Sequence, residues 1–148
     1  MELTPVIKPF KELTPDELYA IMRLRNEVFV VEQNCVYQDA DNKDPRCYHL
    51  MLLNNDELIA YARLLPQGLS YEEMSIGRVI SSPKARGTGA GRLLMKTAIE
   101  QCALIFGEGS IKIGAQAYLS NFYASFGFKE VGEIYDEDGI PHITMIKE

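Results

Sequence analysis

Basic residues are in short supply. Fifteen Lys and Arg stand against twenty-one Asp and Glu in 148 residues, giving a formal charge of −6 at pH 7. Nucleic-acid backbones are held by clustered Lys and Arg, so this balance argues against a nucleic-acid partner. A small anionic cofactor needs only a few local donors and stays open, and an acidic surface mildly favours a cationic acceptor. Cysteine is also scarce. Cys35, Cys47 and Cys102 form an odd set at spacings that match no zinc pattern, which argues against a disulfide framework and a zinc site. No apolar run approaches the roughly 20 residues that span a bilayer. The first residues, Met1-Glu2-Leu3-Thr4-Pro5, lack the basic-then-apolar pattern of a leader. The chain therefore reads as cytoplasmic, with no membrane partner. Repeats, low-complexity tracts and Pro/Gly-rich linkers are missing too, and domains commonly hold ~100–150 residues, so residues 1–148 read as one domain.

Hydrophobic residues make up 47% of the chain, enough for a real core. Residues 6–10 read as an edge strand, interrupted by Lys8 and Pro9. Thr14-Pro15-Asp16-Glu17 reads as a helix start with a capping box and Pro at the first helical position. Leu18, Ile21, Met22, Val28 and Phe29 then follow at helical spacing. Residues 32–47 are polar and turn-rich. Strands are predicted over 49–53 and 57–65, joined by Asn54-Asn55-Asp56, and over 74–81. After Pro83 a long amphipathic helix runs until Gly107 and Gly109. A strand over 111–115 and a short helix over 119–126 come next. Two closing strands, 128–135 and 142–146, flank the hairpin signal Asp138-Gly139. The order implies an α/β (α+β) domain, with helices covering a mostly antiparallel mixed sheet.

The sharpest local feature is Arg86-Gly87-Thr88-Gly89-Ala90-Gly91-Arg92, set between a strand and a helix. Helix starts leave backbone N–H groups unpaired and carry partial positive charge. Glycines let those groups approach a phosphate closely, so a diphosphate is the natural ligand. Lys84, Arg86 and Arg92 add charge. A dinucleotide fingerprint fails because Arg92 stands where a glycine is needed, and the Gly-Lys-Ser/Thr of a P-loop is absent.

Arg86-x-x-Gly89-x-Gly91, opening a long helix after a strand, resembles the acyl-CoA signature of the GNAT superfamily of N-acyltransferases. Asn121-Phe122-Tyr123-Ala124-Ser125-Phe126-Gly127-Phe128 resembles that superfamily's later Tyr-x-x-x-Gly-Phe element. Residues 25–33, from Arg25 to Gln33, and 137–142, from Glu137 to His142, are similar to the ElaA-like branch. The likeness extends over nearly the whole chain, from about Val6 to Ile146.

The resemblance implies a sheet splayed in the middle, with the pantetheine arm of CoA between strands 74–81 and 111–115. Val79, Ile80 and Ser81 would contact the arm. The turn from Arg86 through Gly87, Thr88, Gly89, Ala90 and Gly91, with Arg92, would hold the diphosphate. Asn121 and Tyr123 would approach from the short helix. The implied reaction is direct acetyl transfer from acetyl-CoA to a primary amine, on a small molecule or a peptide. A backbone N–H near Val79 or Ile80 would hold the oxyanion, and Tyr123 would serve as general acid for the thiolate. Glu27, Glu32, Glu72 and Glu73 are the candidate bases. Glu32 leads, on the expectation that partial burial raises its pKa. The same turn and helix would equally serve a non-catalytic acyl-CoA sensor or scaffold, and edge strands of such a sheet allow a homodimer.

Other residues carry less. His49 and His142 have no ligand-spaced partners, so a structural or acceptor-orienting role fits better than a metal. Asp39-x-Asp41-x-Lys43-Asp44 mimics the start of a calcium loop, but Lys43, Asp44 and Leu50 occupy positions that must be a ligand, a glycine and a glutamate. These acids, with Asp136, Glu137 and Asp138, read first as solvated surface, with attraction of a cationic acceptor as the alternative. Arg25 and Arg78, inside apolar elements, call for carboxylate partners in structural ion pairs, with acceptor binding as the alternative.

Overall fold

The computed structural model describes residues 2–148. Strand β1 (Thr4–Pro9) pairs antiparallel with β2 (Tyr48–Asn54), β2 with β3 (Glu57–Leu65), and β3 with β4 (Ser75–Ser81). The two prolines of β1 sit on an edge strand, where a missing N–H costs no ladder bond. Asn55 and Asp56, with φ of +50° and +38°, close the β2–β3 hairpin. A second sheet has the order β5 (Ile111–Gln116), β7 (Ile140–Lys147), β6 (Lys129–Glu137). Asp138 and Gly139, both at positive φ, make the β6–β7 turn. Each closing strand runs further into the turn than the sequence predicts.

Helix α1 (Pro15–Arg25) starts as its sequence dictates. The Glu17 N–H donates to Thr14 Oγ1 at 3.1 Å, and the Thr14 N–H donates to Glu17 Oε1 at 2.9 Å. The single helical rhythm predicted to Phe29 changes at Arg25, and residues Asn26–Glu32 wind as a wider π-helix. That segment buries Val28 and brings Phe29 and Glu32 to the cleft described below. Helix α2 (Ala90–Phe106) presents Leu94, Met95, Ala98 and Cys102 to one face of the first sheet. On the other face, Ile21, Leu24 and Val28 meet Met51, Tyr61 and Ile80. Central strand β3 is thus covered on both sides, which accounts for its unbroken buried run from Ile59 to Leu65, Arg63 included. Short helix α3 (Ser120–Ala124) follows β5.

The two sheets meet at one backbone contact. Met74 and Ile111 form a parallel bridge, and the Lys112 N–H donates to Met74 O at 3.0 Å. Beyond it β4 and β5 form no ladder. Strand β4 also carries a bulge. Tyr61 faces Ile80 and Arg63 faces Gly77, so Ala62 stands opposite both Arg78 and Val79. Arg78 takes φ +50° there, a left-handed conformation that costs a non-glycine residue about 1–2 kcal/mol.

A buried ionic cluster underlies the bulge. Arg25, fully buried, donates from Nε to Asp39 Oδ2 and from Nη1 to Asp44 Oδ1, both at 2.8 Å. Arg63 reaches Asp41 Oδ2 at 2.6 Å and Asp44 Oδ1 at 3.0 Å. Arg78 Nε reaches Asp39 Oδ1 at 2.8 Å. Three arginines face three aspartates, so the cluster is neutral. The reading of these aspartates as solvated surface is therefore corrected. Asp39 and Asp44 are buried, and all three serve as counterions of arginines that hydrophobic elements carry into the interior. His49 is structural. Its Nε2 lies 3.0 Å from Asp44 O, so it carries the proton and Nδ1 accepts from the Tyr61 hydroxyl at 2.6 Å. Burial lowers its pKa, keeping the ring neutral. All three cysteines are free and buried.

Breaking a buried pair by removing one partner leaves an uncompensated charge, so Asp44→Ala is expected to destabilise the protein by about 3–5 kcal/mol in urea unfolding. Acid should act in the same direction. Although burial alone would raise them, Arg63 holds the Asp41 carboxyl far below the usual range, and Arg25 and Arg63 lower Asp44. Carboxyls depressed in the folded state stabilise it above the unfolded-state pKa, ~3.9, and that contribution disappears as pH falls. The urea midpoint should therefore decline below about pH 4. An Asp44→Ala variant as stable as wild type would remove the cluster from this role.

Candidate active site

A cleft of about 880 Å³ opens where β4 and β5 part. One wall is the bulged end of β4, with Arg78, Val79, Ile80 and Ser81. The other comes from β5, α3 and the β6–β7 hairpin. The π-helical segment lies across the mouth. The side-chain amide of Gln33, the residue that follows it, exchanges hydrogen bonds of 3.3 and 3.4 Å with Gln116 at the end of β5.

At one end stands the glycine turn. Gly87 and Gly89 both have left-handed φ, +80° and +86°, and Gly89 is the N-cap of α2. No side chain caps this helix, and its first turn holds no acid. The first N–H groups of α2 therefore lack intrahelical partners and carry the positive end of a seventeen-residue dipole. A Cβ on Gly91 would meet Ser81 Oγ at 3.7 Å and Phe122 Cζ at 3.9 Å, ordinary contact distances.

The residues singled out in the sequence fall into two groups. Val79, Ile80, Ser81, Arg86, Gly91, Tyr123 and Glu32 line the cleft. Gly87, Thr88, Gly89 and Arg92 are exposed around the α2 start, Ala90 is buried behind it, and Asn121 is exposed on α3. Arg92 is engaged elsewhere. Its guanidinium lies 4.7 Å from the Phe126 ring centroid, and Nη1 donates to Ser125 Oγ at 3.1 Å. Arg86 bonds Glu32 through both nitrogens at 2.5 Å.

That pair reverses one expectation. Glu32 is partly exposed, and the Arg86 guanidinium lowers its pKa. Burial, the expected cause of a raised value, is outweighed by that guanidinium. Glu27, Glu72 and Glu73 lie outside the cleft lining. Tyr123 is 6% exposed, edge-on to Phe122 and Phe128. Burial pushes its phenol up to about 12, so it holds its proton at neutral pH and acts as a donor.

The far end of the cleft was only partly legible. Tyr71, Tyr135, Glu137 and His142 gather there. His142 is buried, with Nδ1 2.8 Å from Ile140 O and Nε2 3.1 Å from Glu137 Oε2. Two oxygen atoms thus face the ring nitrogens. A Cβ on Gly114 would fall 2.9 Å from Tyr135 Oη and 3.2 Å from Tyr71 Oη. The signal that could have located this end is that glycine, since a glycine inside a strand often marks a close approach.

Comparison with known proteins agrees with this geometry. The acetyltransferase (GNAT) domain family matches residues 11–148. Protein ElaA of Escherichia coli strain K12 is 49% identical over 139 residues, covering 93% of this chain and 91% of that protein. The crystal structure of Escherichia coli ElaA superposes with a TM-score of 0.93 at 45% identity, covering 99% of this chain and all of that one. An acyl-CoA N-acyltransferase from Pseudomonas aeruginosa superposes with a TM-score of 0.95 at 42% identity, over 99% of this chain and 100% of that one. With the splayed strands, the glycine-rich start of α2 and these relatives in agreement, the chain belongs to the GNAT acetyltransferase family, with the acyl-CoA N-acyltransferase fold and ElaA among its relatives.

Proposed function

We propose that this protein is a cytoplasmic N-acetyltransferase that passes an acetyl group from acetyl-CoA to a primary amine by direct attack. The observation that carries the reading is the continuous cleft. It joins an uncapped helix start, which suits a diphosphate, to two facing strand edges, which suit an extended amide chain. The donor set fits CoA. Backbone N–H groups of the α2 start would take the diphosphate, and Val79, Ile80 and Ser81 would line the pantetheine arm.

In the proposed reaction the amine nitrogen forms a bond to the thioester carbonyl carbon. The C–S bond then breaks, the sulfur leaves with the electron pair, and the nitrogen's surplus proton passes to water in the open cleft. The bulge at Arg78 and Val79 offers backbone outside the ladder for the developing oxyanion. Tyr123, which lines the cleft, would face the departing sulfur. A simple thiol has a pKa near 8.5, well below the Tyr123 phenol at about 12. Full proton transfer to the thiolate is therefore uphill, and Tyr123 contributes chiefly a hydrogen bond to it. Arg86 makes Glu32 a weaker proton acceptor than a free carboxylate, which counts against it as general base. Glu137 is the carboxylate that faces the acceptor end beside His142.

Thermal denaturation with acetyl-CoA, CoA, ATP and NAD tests the cofactor. A ligand at 100 times its Kd adds about 2.7 kcal/mol to the folded state, which raises the Tm of a domain this size by several degrees. The expected result is a shift with the two CoA ligands alone, and an equal shift with ATP would overturn the assignment. An amine panel then tests transfer. A silent panel with firm CoA binding would make the protein a non-catalytic acyl-CoA sensor. Tyr123→Phe removes that hydrogen-bond donor and should lower kcat by ~10²-fold while leaving CoA affinity close to wild type, and an unchanged kcat would reduce Tyr123 to packing. Gly89→Val, which forces a branched side chain to φ +86°, should weaken CoA binding by calorimetry. Undiminished affinity in a folded variant would remove the α2 start from the diphosphate site.

A further inference from the structure

An arginine occupies the left-handed position of the β4 bulge, where glycine would sit without strain. A glycine stands one residue earlier, at Gly77, and its φ is not left-handed. The residue at the strained position is therefore there for its side chain. That side chain is spent almost wholly on Asp39. Arg78 Nε donates to Asp39 Oδ1 at 2.8 Å, and Nη2 donates to Asp39 O at 3.0 Å. A longer contact of 3.4 Å runs from Nη2 to Asp41 Oδ2.

Asp39 is itself fixed from the opposite side. Arg25 donates Nε to Oδ2 at 2.8 Å and Nη2 to the Asp39 carbonyl at 3.2 Å. The Tyr37 hydroxyl donates to Oδ1 at 2.9 Å. Asp39 thus joins the end of α1 to the bulge through two bidentate arginines. Along β4, Ile76 is anchored in one core and Ile80 in the other. Between these anchors the strand must take up one extra residue, and Arg78 is where it does so. A change of register there would exchange the faces of Val79, Ile80 and Ser81.

We propose that Asp39, acting through Arg78, is a positioning residue for acyl transfer. It holds the bulge in its left-handed form, so that the unladdered backbone at Arg78 and Val79 meets the reacting carbonyl at a fixed place. The inference rests on the acyltransferase reading for its kinetic consequence, but the clamp on the backbone stands independently of it.

Three variants and one cycle test it. Arg78→Gly removes the guanidinium but accepts the left-handed conformation, whereas Arg78→Ala removes it and strains the backbone. Both keep the small volume that avoids new clashes. With acetyl-CoA and an amine active in the panel, Arg78→Ala should lose ~10²-fold in kcat. Arg78→Gly should recover ~10-fold of that loss, and the amine KM should hold in both. Asp39→Asn should lower kcat in the wild-type background and cost clearly less in the Arg78→Gly background. Equal losses in Gly and Ala with a raised amine KM would make Arg78 an acceptor-binding residue and overturn the proposal. So would unchanged kcat with a lowered Tm, which marks a purely structural pair.

The three-bond HN–Hα coupling of residue 78 provides a readout free of activity. It should move toward the extended value in Asp39→Asn, and an unmoved coupling overturns the clamp. If wild type transfers no acyl group, the acyltransferase reading fails, while this coupling still decides the clamp.

Discussion

The structure depends on a guanidinium that has no access to water. Arg25 sits at the point where α1 changes from an α- to a π-helix, and nothing but protein surrounds it. A lone charge there would be too costly to bury. The chain brings Asp39 and Asp44 to it, and those aspartates in turn bring Arg63 of β3 and Arg78 of β4. One desolvated cation thereby ties α1, two central strands and an otherwise irregular loop into a neutral unit. Hydrophobic burial supplies most of the stability, but it is non-directional. The directional bonds of the cluster place the loop and the bulged strand relative to each other.

Asp41, Arg63 and Arg78 of the same unit line the cleft, which has two chemically different ends. On one side lies the uncapped start of α2, an arrangement of backbone alone. On the other lie side chains from the β6–β7 hairpin and the loop before β4, with Tyr71, Tyr135, Glu137 and His142. The first end follows from backbone geometry shared by a large superfamily. The second depends on particular side chains.

Much of the fold was legible because local signals agreed. Thr14-Pro15-Asp16-Glu17 predicts a capped helix and forms one, and Asp138-Gly139 predicts a hairpin and closes one. The glycine turn predicts a helix start and forms one at Gly89, and Val79, Ile80 and Tyr123, which the resemblance implies as cofactor contacts, line one cleft. What failed depended on tertiary context. No local pattern distinguishes Asp39, Asp41 and Asp44 from surface acids, because their partners lie 14 to 39 residues away. The Glu32–Arg86 pair spans 54 residues and reverses the expected direction of the Glu32 pKa. The π-helical turn was hidden because Val28 and Phe29 fit a regular helix by spacing alone.

The parting of β4 and β5 also governs how the molecule exposes its backbone. Two sheets have four outer strands: β1, β4, β5 and β6. Unpaired strand edges invite other chains to add themselves. Prolines at positions 5 and 9 blunt β1, and β6 carries Glu130, Glu133, Asp136 and Glu137. The remaining two edges, β4 and β5, face each other across the cleft. Each shields the other from a foreign sheet, so the hydrogen-bonding groups most exposed to misuse are presented only inward, to a molecule slender enough to enter between them.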